Sequence, residues 1–433
     1  MSIDIQKKNL PLIGFFPLFY NFAETGRAVV IAKRYLDAGG KAIFFSHGGN
    51  YEYIAKDIGC KVIRVNPIYT KEYIDWLWAS SRLESFRNPY TLKILNEHVR
   101  EESAAFKKSG IKLIVSTNNF PCYISTRVAK VPFISVCSKL YSKFTKYPED
   151  AEILFTRFFP DFIKRTIINW YYPLSKAYVR NFRIISKKYG VKPPRYSWDI
   201  TSGDYSLIVD SEEFLGVDDS VLNPNETFVG ISFFDELLSK YYLKNSKKED
   251  EIDVIDHINR PGKSILLSFG SSGNNEIFLK VLNCLNKTEL NVVVVYTSIL
   301  KEDEIPKYNN NILFKKFVPS IGKINKMVDL AILSGGKGTV YTAAYAGKPV
   351  IGIPMQFEQH LNLEVLVMHG TAKILSRKNF KEKKLISTIK EIFENYDYYL
   401  KKCNKLKNIL PEPNGDFVAF KKILEIMKKE GLI

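Results

Sequence analysis

Strand-sized apolar runs alternate with longer helical patterns, and the alternation restarts once past a charged join. These observations predict an α/β protein with parallel sheets in two successive domains. The length of 433 residues, about twice a usual single domain, agrees. Hydrophobic residues at 45% and charged residues at 25% exclude a wholly disordered chain. No apolar run approaches the ~18 residues that span a bilayer.

In the first half, strands are expected at Leu12–Phe16, Lys41–Ser46, Lys61–Val65, Lys112–Ser116, Pro132–Val136 and Ser206–Asp210. Helices are expected at Arg27–Ala38 and Arg82–Lys108. The apolar stretch before Arg27 is interrupted by Pro17 and Asn21 and ends in Glu24, so it reads as a first strand and not as a signal peptide. The second half offers strands at Ser264–Phe269, Asn291–Thr297, Ile312–Phe314, Leu330–Leu333 and Val350–Ile353, and helices at Val340–Ala346 and Leu361–His369. Between the halves, Leu243–Arg260 is strongly charged and runs into Pro261-Gly262, the composition of a linker. The expected divisions are 1–240, a linker at 241–262, a second domain at 263–410 and a closing helix at 411–433 directed back to the first domain. Ligands of open parallel sheets gather beyond the strands' carboxyl ends, so two such Rossmann-like domains are expected to face an interdomain cleft.

The net charge of +17 favours an anionic partner such as a lipid surface or a nucleotide, unless it only serves solubility. Cys60, Cys122, Cys137, Cys284 and Cys403 are scattered without a CxxC pair. That suits a reducing cytoplasm and gives neither a disulfide framework nor a zinc motif. Asp218-Asp219 reads as an ordinary loop pair, and no metal ligand set is expected.

The most informative segment is Leu330–Leu375. A strand ending at Leu333 turns through Ser334-Gly335-Gly336-Lys337-Gly338-Thr339 directly into a helix. Glycines permit close backbone approach, and a helix start offers unpaired N–H groups and the positive end of its dipole. Together they suit a diphosphate. A plain strand-to-helix turn also uses glycine, so the continuation matters. Gly347-Lys348-Pro349 leads into the next strand, and Pro354, Glu358-Gln359 and Asn362 follow, with Asn362 expected to open the next helix. A carboxylate and an amide beyond a strand end suit a ligand rich in hydroxyls.

These residues resemble the donor-binding signature of GT-B glycosyltransferases of the UDP-glycosyltransferase type, with kinship to MurG-like and sterol glucosyltransferases. That pattern runs His-Gly-Gly-x-Gly-Thr, Glu-Ala, Gly-x-Pro, Pro, Asp-Gln and Asn. Here the counterparts are Ser334 to Thr339, Thr342-Ala343, Gly347-Lys348-Pro349, Pro354, Glu358-Gln359 and Asn362. Upstream, Val254–Ser272 is similar to the family's helix, Pro-Gly turn and strand ending in Ser-Phe-Gly-Ser, and Phe317-Val318-Pro319 to its aromatic-Val-Pro segment. Three departures stand out: Ser334 replaces the phosphate-binding His, Thr342 the ribose-chelating Glu, and Glu358 the sugar-binding Asp.

The resemblance implies an inverting transfer without a metal, in which the nucleotide sugar is a co-substrate and no further cofactor is used. Ser334, Gly335, Gly336, Gly338 and Thr339 would hold the diphosphate, Ser271 and Ser272 would approach it from the facing loop, and Thr342 stands at the ribose position. Val318 would meet the base, and Glu358 and Gln359 would read the sugar. The resemblance also places a general base after the first strand, and alignment puts Ala23 to Arg27 on that loop with Glu24 at the base position. Glu24 equally suits a helix-capping role, and His47, ending the second strand in Ser46-His47-Gly48-Gly49, is the rival base. The remaining histidines, His98, His257, His360 and His369, lie in expected helices or the linker; His360, following Glu358-Gln359, could touch the donor, though a surface role is simpler.

Leu154–Gly190 interleaves ten aromatics with eight Lys/Arg and one acidic residue, Asp161. This suits an anionic lipid interface or a lipid-linked acceptor, unless the aromatics are core and the charges solvated. No nucleic-acid motif accompanies it. The expected function is therefore transfer of a hexose from a nucleotide diphosphate, UDP first, to a lipid-like or apolar hydroxyl at the cytoplasmic membrane face. A nucleotide-sugar epimerase on the same fold and a non-catalytic sugar-nucleotide binder are the alternatives.

Overall fold

Short apolar runs such as Leu12–Pro17, Ser264–Ser268 and Asn291–Val295 hide both faces only inside a parallel sheet covered by helices. The computed structural model describes residues 10–81, 85, 87–138, 160, 162–163, 166, 176–234, 248–270, 274–296, 299–300, 305–316, 318 and 321–433. They fall into two units. One comprises Met1–Lys146, Phe162–Phe234 and Pro411–Ile433, the other Tyr147–Asp161 and Asp235–Leu410.

The strands of the first unit are β1 (Leu12–Pro17), β2 (Lys41–Ser46), β3 (Lys61–Arg64), β4 (Ile114–Thr117), β5 (Phe133–Cys137), β6 (Tyr205–Ile208) and β7 (Glu226–Phe228). All pair in parallel in the order β3-β2-β1-β4-β5-β6-β7. The helices are α1 (Phe22–Asp37), α2 (Glu52–Asp57), α3 (Lys71–Ser81), α4 (Leu92–Ser109), α5 (Cys122–Ala129), α6 (Arg180–Lys188) and α7 (Glu212–Leu215). The second unit opens with α8 (Lys248–Ile258) and carries β8 (Ser264–Ser268), β9 (Asn291–Val295), β10 (Ile312–Lys315), β11 (Leu330–Leu333), β12 (Val350–Gly352) and β13 (Ala372–Ile374). This parallel sheet is ordered β10-β9-β8-β11-β12-β13. Its remaining helices are α9 (Asn275–Leu285), α10 (Ile321–Met327), α11 (Lys337–Ala346), α12 (Phe357–Met368), α13 (Glu382–Glu394) and α14 (Tyr396–Ile409). The last helix, α15 (Gly415–Lys429), packs on α1 in the first unit.

Each sheet reverses its winding beside its first strand, between β1 and β4 and between β8 and β11. Pro17 lies opposite Thr117, and Leu333 opposite Ser268, so the carboxyl ends of each pair lie together. In doubly wound sheets, ligands bind at that switch point.

Four expectations need correction. The charged stretch expected as a linker contains α8, whose Val254 and Ile258 pack into the core with Leu266 and Val293. Asp253 and Asp256 lie on the solvated face of this amphipathic helix. The helix expected at Arg82–Lys108 begins only at Leu92, where the Thr91 side chain accepts from the Ile94 amide; Pro89 lies just upstream. The first helix begins at Phe22, not Arg27, because Asn21 caps it by accepting from the Ala23 and Glu24 amides. Asn362 lies within α12, which starts at Phe357.

Gly415 opens α15 against the chain leaving β7. Its amide donates to the Ile231 carbonyl at 3.0 Å, and a Cβ there would stand 2.4 Å from the Gly230 carbonyl oxygen. Backbone cannot swing aside as a side chain can. Gly415→Ala is expected to cost about 1–3 kcal/mol of stability through overpacking, read as a lower urea midpoint with the far-ultraviolet spectrum retained.

Candidate active site

In the second unit, the turn after β11 is set by one close approach. Gly335 has φ +93, and a Cβ on it would lie 2.5 Å from the Gln359 carbonyl oxygen and 2.7 Å from the Leu363 side chain. The Asn362 side-chain amide, fully buried, donates to the Gly335 carbonyl at 3.0 Å. The turn is thus pinned flat on α12. Gly336 then serves as the N-cap of α11 and offers no side chain to cap it. A Cβ on Gly338 would meet nothing within 4 Å. The front of α11 therefore combines helix-start amides, about half a positive charge and, among the described residues, open space at Gly338. This arrangement is suited to a phosphate group.

The structure brings Ser334, Gly335, Gly336, Gly338, Thr339, Thr342, Glu358 and Gln359 to the adjoining carboxyl ends of β11 and β12. Several side chains are already engaged. The Ser334 hydroxyl, 1% exposed, donates to the Phe269 carbonyl at 2.9 Å, tying β11 to the end of β8. The Thr339 hydroxyl donates to the Gly336 carbonyl and the Thr342 hydroxyl to the Gly338 carbonyl. The side-chain oxygen of Gln359, expected to read the sugar, accepts from the Met355 amide at 2.8 Å and the Gln356 amide at 3.2 Å, closing the turn into α12. Glu358 stays half-buried in the first turn of α12. Val318, expected beside the base, is a core residue packed with Val254, Leu266 and Ile324. Ser271 and Ser272 lie outside the described residues, as do Phe317, Pro319 and Ser320.

In the first unit, Glu24 sits in the first turn of α1, directly after β1, and is 7% exposed. Its Oε2 accepts from Arg27 at 2.9 Å and its Oε1 from the Asn118 amide at 2.8 Å. Asn118 follows β4 in the left-handed region, at φ 58, a conformation that side chains other than Gly and Asn rarely hold. The carboxylate therefore stands at the switch point of the first sheet, oriented from both sides. Next to it, Tyr20 packs against Trp78 at 5.5 Å and Tyr69 at 6.1 Å, and Tyr73 packs against Trp76. Burial, with Tyr73 and the Glu24 carboxylate nearby, holds the Tyr20 phenol above its ordinary range, so it stays neutral.

His47, the rival base, is sealed inside this unit at 3% exposure. Its Nδ1 lies 2.9 Å from the Val65 carbonyl oxygen and its Nε2 2.9 Å from Glu102 Oε1, and both Phe16 and Tyr69 lie against its ring. It is not placed to take a proton from a substrate. His98, His257 and His360 are buried as well, so the surface role expected of His360 does not hold. Asp218 caps the short 3₁₀ turn Asp219–Val221 through the Ser220 amide. Of the aromatic-basic segment Leu154–Gly190, about half lies outside the described residues; its described end buries Phe182 and exposes Arg180, Lys187 and Lys188.

Sequence reading missed Arg27, Asn118 and Tyr20. The i, i+3 spacing of Glu24 and Arg27 was visible once α1 is extended to Phe22. Asn118 and Tyr20 carry no spacing signal, since neither belongs to a periodic pattern.

Residues 265–412 match the glycosyltransferase family 28 C-terminal domain. A PGL/p-HBAD biosynthesis glycosyltransferase of Mycobacterium tuberculosis is 22% identical over 316 residues, covering 71% of this chain and 69% of that protein. A PGL/p-HBAD biosynthesis rhamnosyltransferase of Mycobacterium bovis is 21% identical over 316 residues, covering 71% and 66%. Among solved structures, the calicheamicin glycosyltransferase superposes with a TM-score of 0.67 at 14% identity, covering 98% of this chain and 99% of that one. The spinosyn rhamnosyltransferase complexed with thymidine diphosphate gives a TM-score of 0.58 at 12% identity, covering 96% and 100%. The class follows: an α/β protein with the GT-B fold. More particularly, the chain is a glycosyltransferase whose residues 265–412 are similar to the family 28 C-terminal domain.

The two glycines of the turn differ in what they tolerate. Gly335→Ala is expected to lose about 1–3 kcal/mol, since its Cβ meets backbone at a left-handed φ. Gly338→Ala, inside α11 with free space around it, is expected to gain up to about 1 kcal/mol. Urea unfolding of the two variants beside the wild type checks the opposite signs.

Proposed function

We propose that the chain is an inverting, metal-independent transferase. It moves a hexose from a pyrimidine nucleoside diphosphate, UDP in the first place, to a hydroxyl of a lipid-like or otherwise apolar acceptor. The observation that carries this reading is the front of α11, left open at Gly338 and pinned by Gly335. The acceptor hydroxyl gives its proton to the Glu24 carboxylate as its oxygen forms the new bond to the anomeric carbon. The bond from that carbon to the diphosphate breaks on the opposite face, and its electron pair leaves with the diphosphate. Amides at the front of α11 stabilise the charge that accumulates there. Arg27 and Asn118 hold the carboxylate in one orientation, which is what a general base needs.

The aromatic side chains of Tyr20, Tyr73, Trp76 and Trp78, half-buried beside the Glu24 turn, support an apolar acceptor. The PGL/p-HBAD names of the mycobacterial relatives support the same class. The nucleotide is open between two pyrimidines. Thr342 brings no carboxylate to the ribose position, and its hydroxyl is spent on the Gly338 carbonyl. A donor whose ribose makes few demands therefore stands beside UDP as the second choice, and the spinosyn rhamnosyltransferase neighbour is complexed with thymidine diphosphate. The exposed Arg180, Lys187 and Lys188 support contact with an anionic lipid surface.

Labelled UDP- and thymidine-diphosphate hexoses incubated with a membrane lipid extract test the reading. Label is expected in the lipid fraction, unaffected by brief chelator treatment. Glu24→Gln is expected to slow turnover by about 10²–10⁴-fold while nucleotide affinity holds. Gly338→Val should fold yet bind UDP at least about tenfold more weakly, since its branch fills the approach to the helix front. Equal transfer by Glu24→Gln removes the base assignment, and undiminished UDP affinity in Gly338→Val removes the phosphate site.

A further inference from the structure

The sealed environment of His47 contains more than one histidine. His47 Nε2, His98 Nδ1 and Glu102 Oε1 lie at the corners of a small triangle. The separations are 2.9 Å from His47 to Glu102, 3.1 Å from His98 to Glu102 and 3.1 Å between the two histidines. His98 and Glu102 stand i, i+4 on α4, and His47 follows β2, so the triangle joins two elements. All three residues are buried: His47 is 3% exposed, His98 and Glu102 0%.

The far side of each residue is already fixed. The Val65 carbonyl can only accept, so His47 Nδ1 carries the proton it donates there, and Nε2 is the nitrogen that faces inward. His98 Nε2 lies 3.4 Å from the Tyr69 hydroxyl. Glu102 Oε2 accepts from the Ser125 hydroxyl. Metal-binding histidines show this pattern: one nitrogen oriented by a carbonyl or hydroxyl, the other free for the ion. Three possible ligand atoms from two elements thus converge within 3.1 Å of one another.

We propose that His47, His98 and Glu102 bind a divalent transition ion of the zinc type, which joins the loop after β2 to α4. Two imidazoles and one carboxylate select such an ion over magnesium or calcium, which prefer all-oxygen shells. Ligand bonds of about 2.0–2.1 Å in tetrahedral geometry place ligand atoms about 3.3 Å apart, a few tenths of an ångström beyond the spacing seen here. Asn119 stands at hand for the fourth corner. It is 2% exposed, its Oδ1 has no hydrogen-bond partner, and its Nδ2 lies 3.3 Å from Glu102 Oε1. A half-turn of that amide exchanges oxygen for nitrogen and faces the oxygen to the ion. Phe16 and Tyr69 wall the site, so the ion enters as the chain folds and takes no part in sugar transfer.

The test uses the full chain, expressed without a polyhistidine tag. Elemental analysis after dialysis is expected to find about one zinc per chain. Refolding with Co²⁺ should give the visible absorption of a tetrahedral nitrogen–oxygen site. His98→Gln and Glu102→Gln should reduce both signals to background. A wild-type chain that carries no zinc and develops no cobalt band overturns the proposal, and so does a variant that keeps the full band. Should the variants fail to fold, X-ray absorption of the wild-type cobalt form decides. Two imidazole ligands support the site, and a shell without imidazole overturns it.

Discussion

No atom larger than hydrogen fits between the backbone at residue 335 and the Gln359 carbonyl. That exclusion fixes the turn after β11 against α12, and much else in the second unit follows from it. With the turn held down, α11 begins at once, and Gly336 becomes its N-cap without a capping side chain. Asn362 and Gln359 are then drawn in as supports, one holding the Gly335 carbonyl and the other closing the Met355–Gln356 turn. The residues of the signature thus divide by physical role. Gly336 and Gly338 leave space for a ligand, whereas Gly335, Ser334, Gln359 and Asn362 build the wall behind it.

The fold was largely legible in the sequence, because parallel strands must be apolar on both faces and their runs stand out between helical patterns. Most observed strands fall within a residue or two of their expected positions. The missed ones, β7 and β13, are three-residue edge strands too short to show a pattern. Boundaries failed where a capping residue outweighed periodicity. Asn21 starts α1 five residues before Arg27, and Phe357 brings Glu358, Gln359 and Asn362 inside a helix. The charge of α8 hid two buried residues, Val254 and Ile258, that make it part of a core.

The candidate site was less legible, because a motif names residues without saying which atoms are spoken for. Ser334, Thr342 and Val318 fall on motif positions, yet their side chains are committed to neighbouring carbonyls or to the core. His47 shows the same limit from the other side. A histidine after a strand suggests chemistry, but its partners His98 and Glu102 are more than fifty residues away in the chain and meet it only through the packing of α4. Asn118 acts through a left-handed backbone that no composition reveals.

The placement of α15 has a consequence for synthesis. Arg34 pairs with Asp416 at 2.6 Å, and the Tyr205 hydroxyl donates to Glu430 at 2.7 Å, so the first unit is completed by residues that follow the second unit in the chain. A nascent chain therefore completes its second unit before its first can close. Loss of residues 415–429 would yield a polypeptide with an intact second unit and an unfinished first one, a product that a quality-control protease would meet as a ragged N-terminal half.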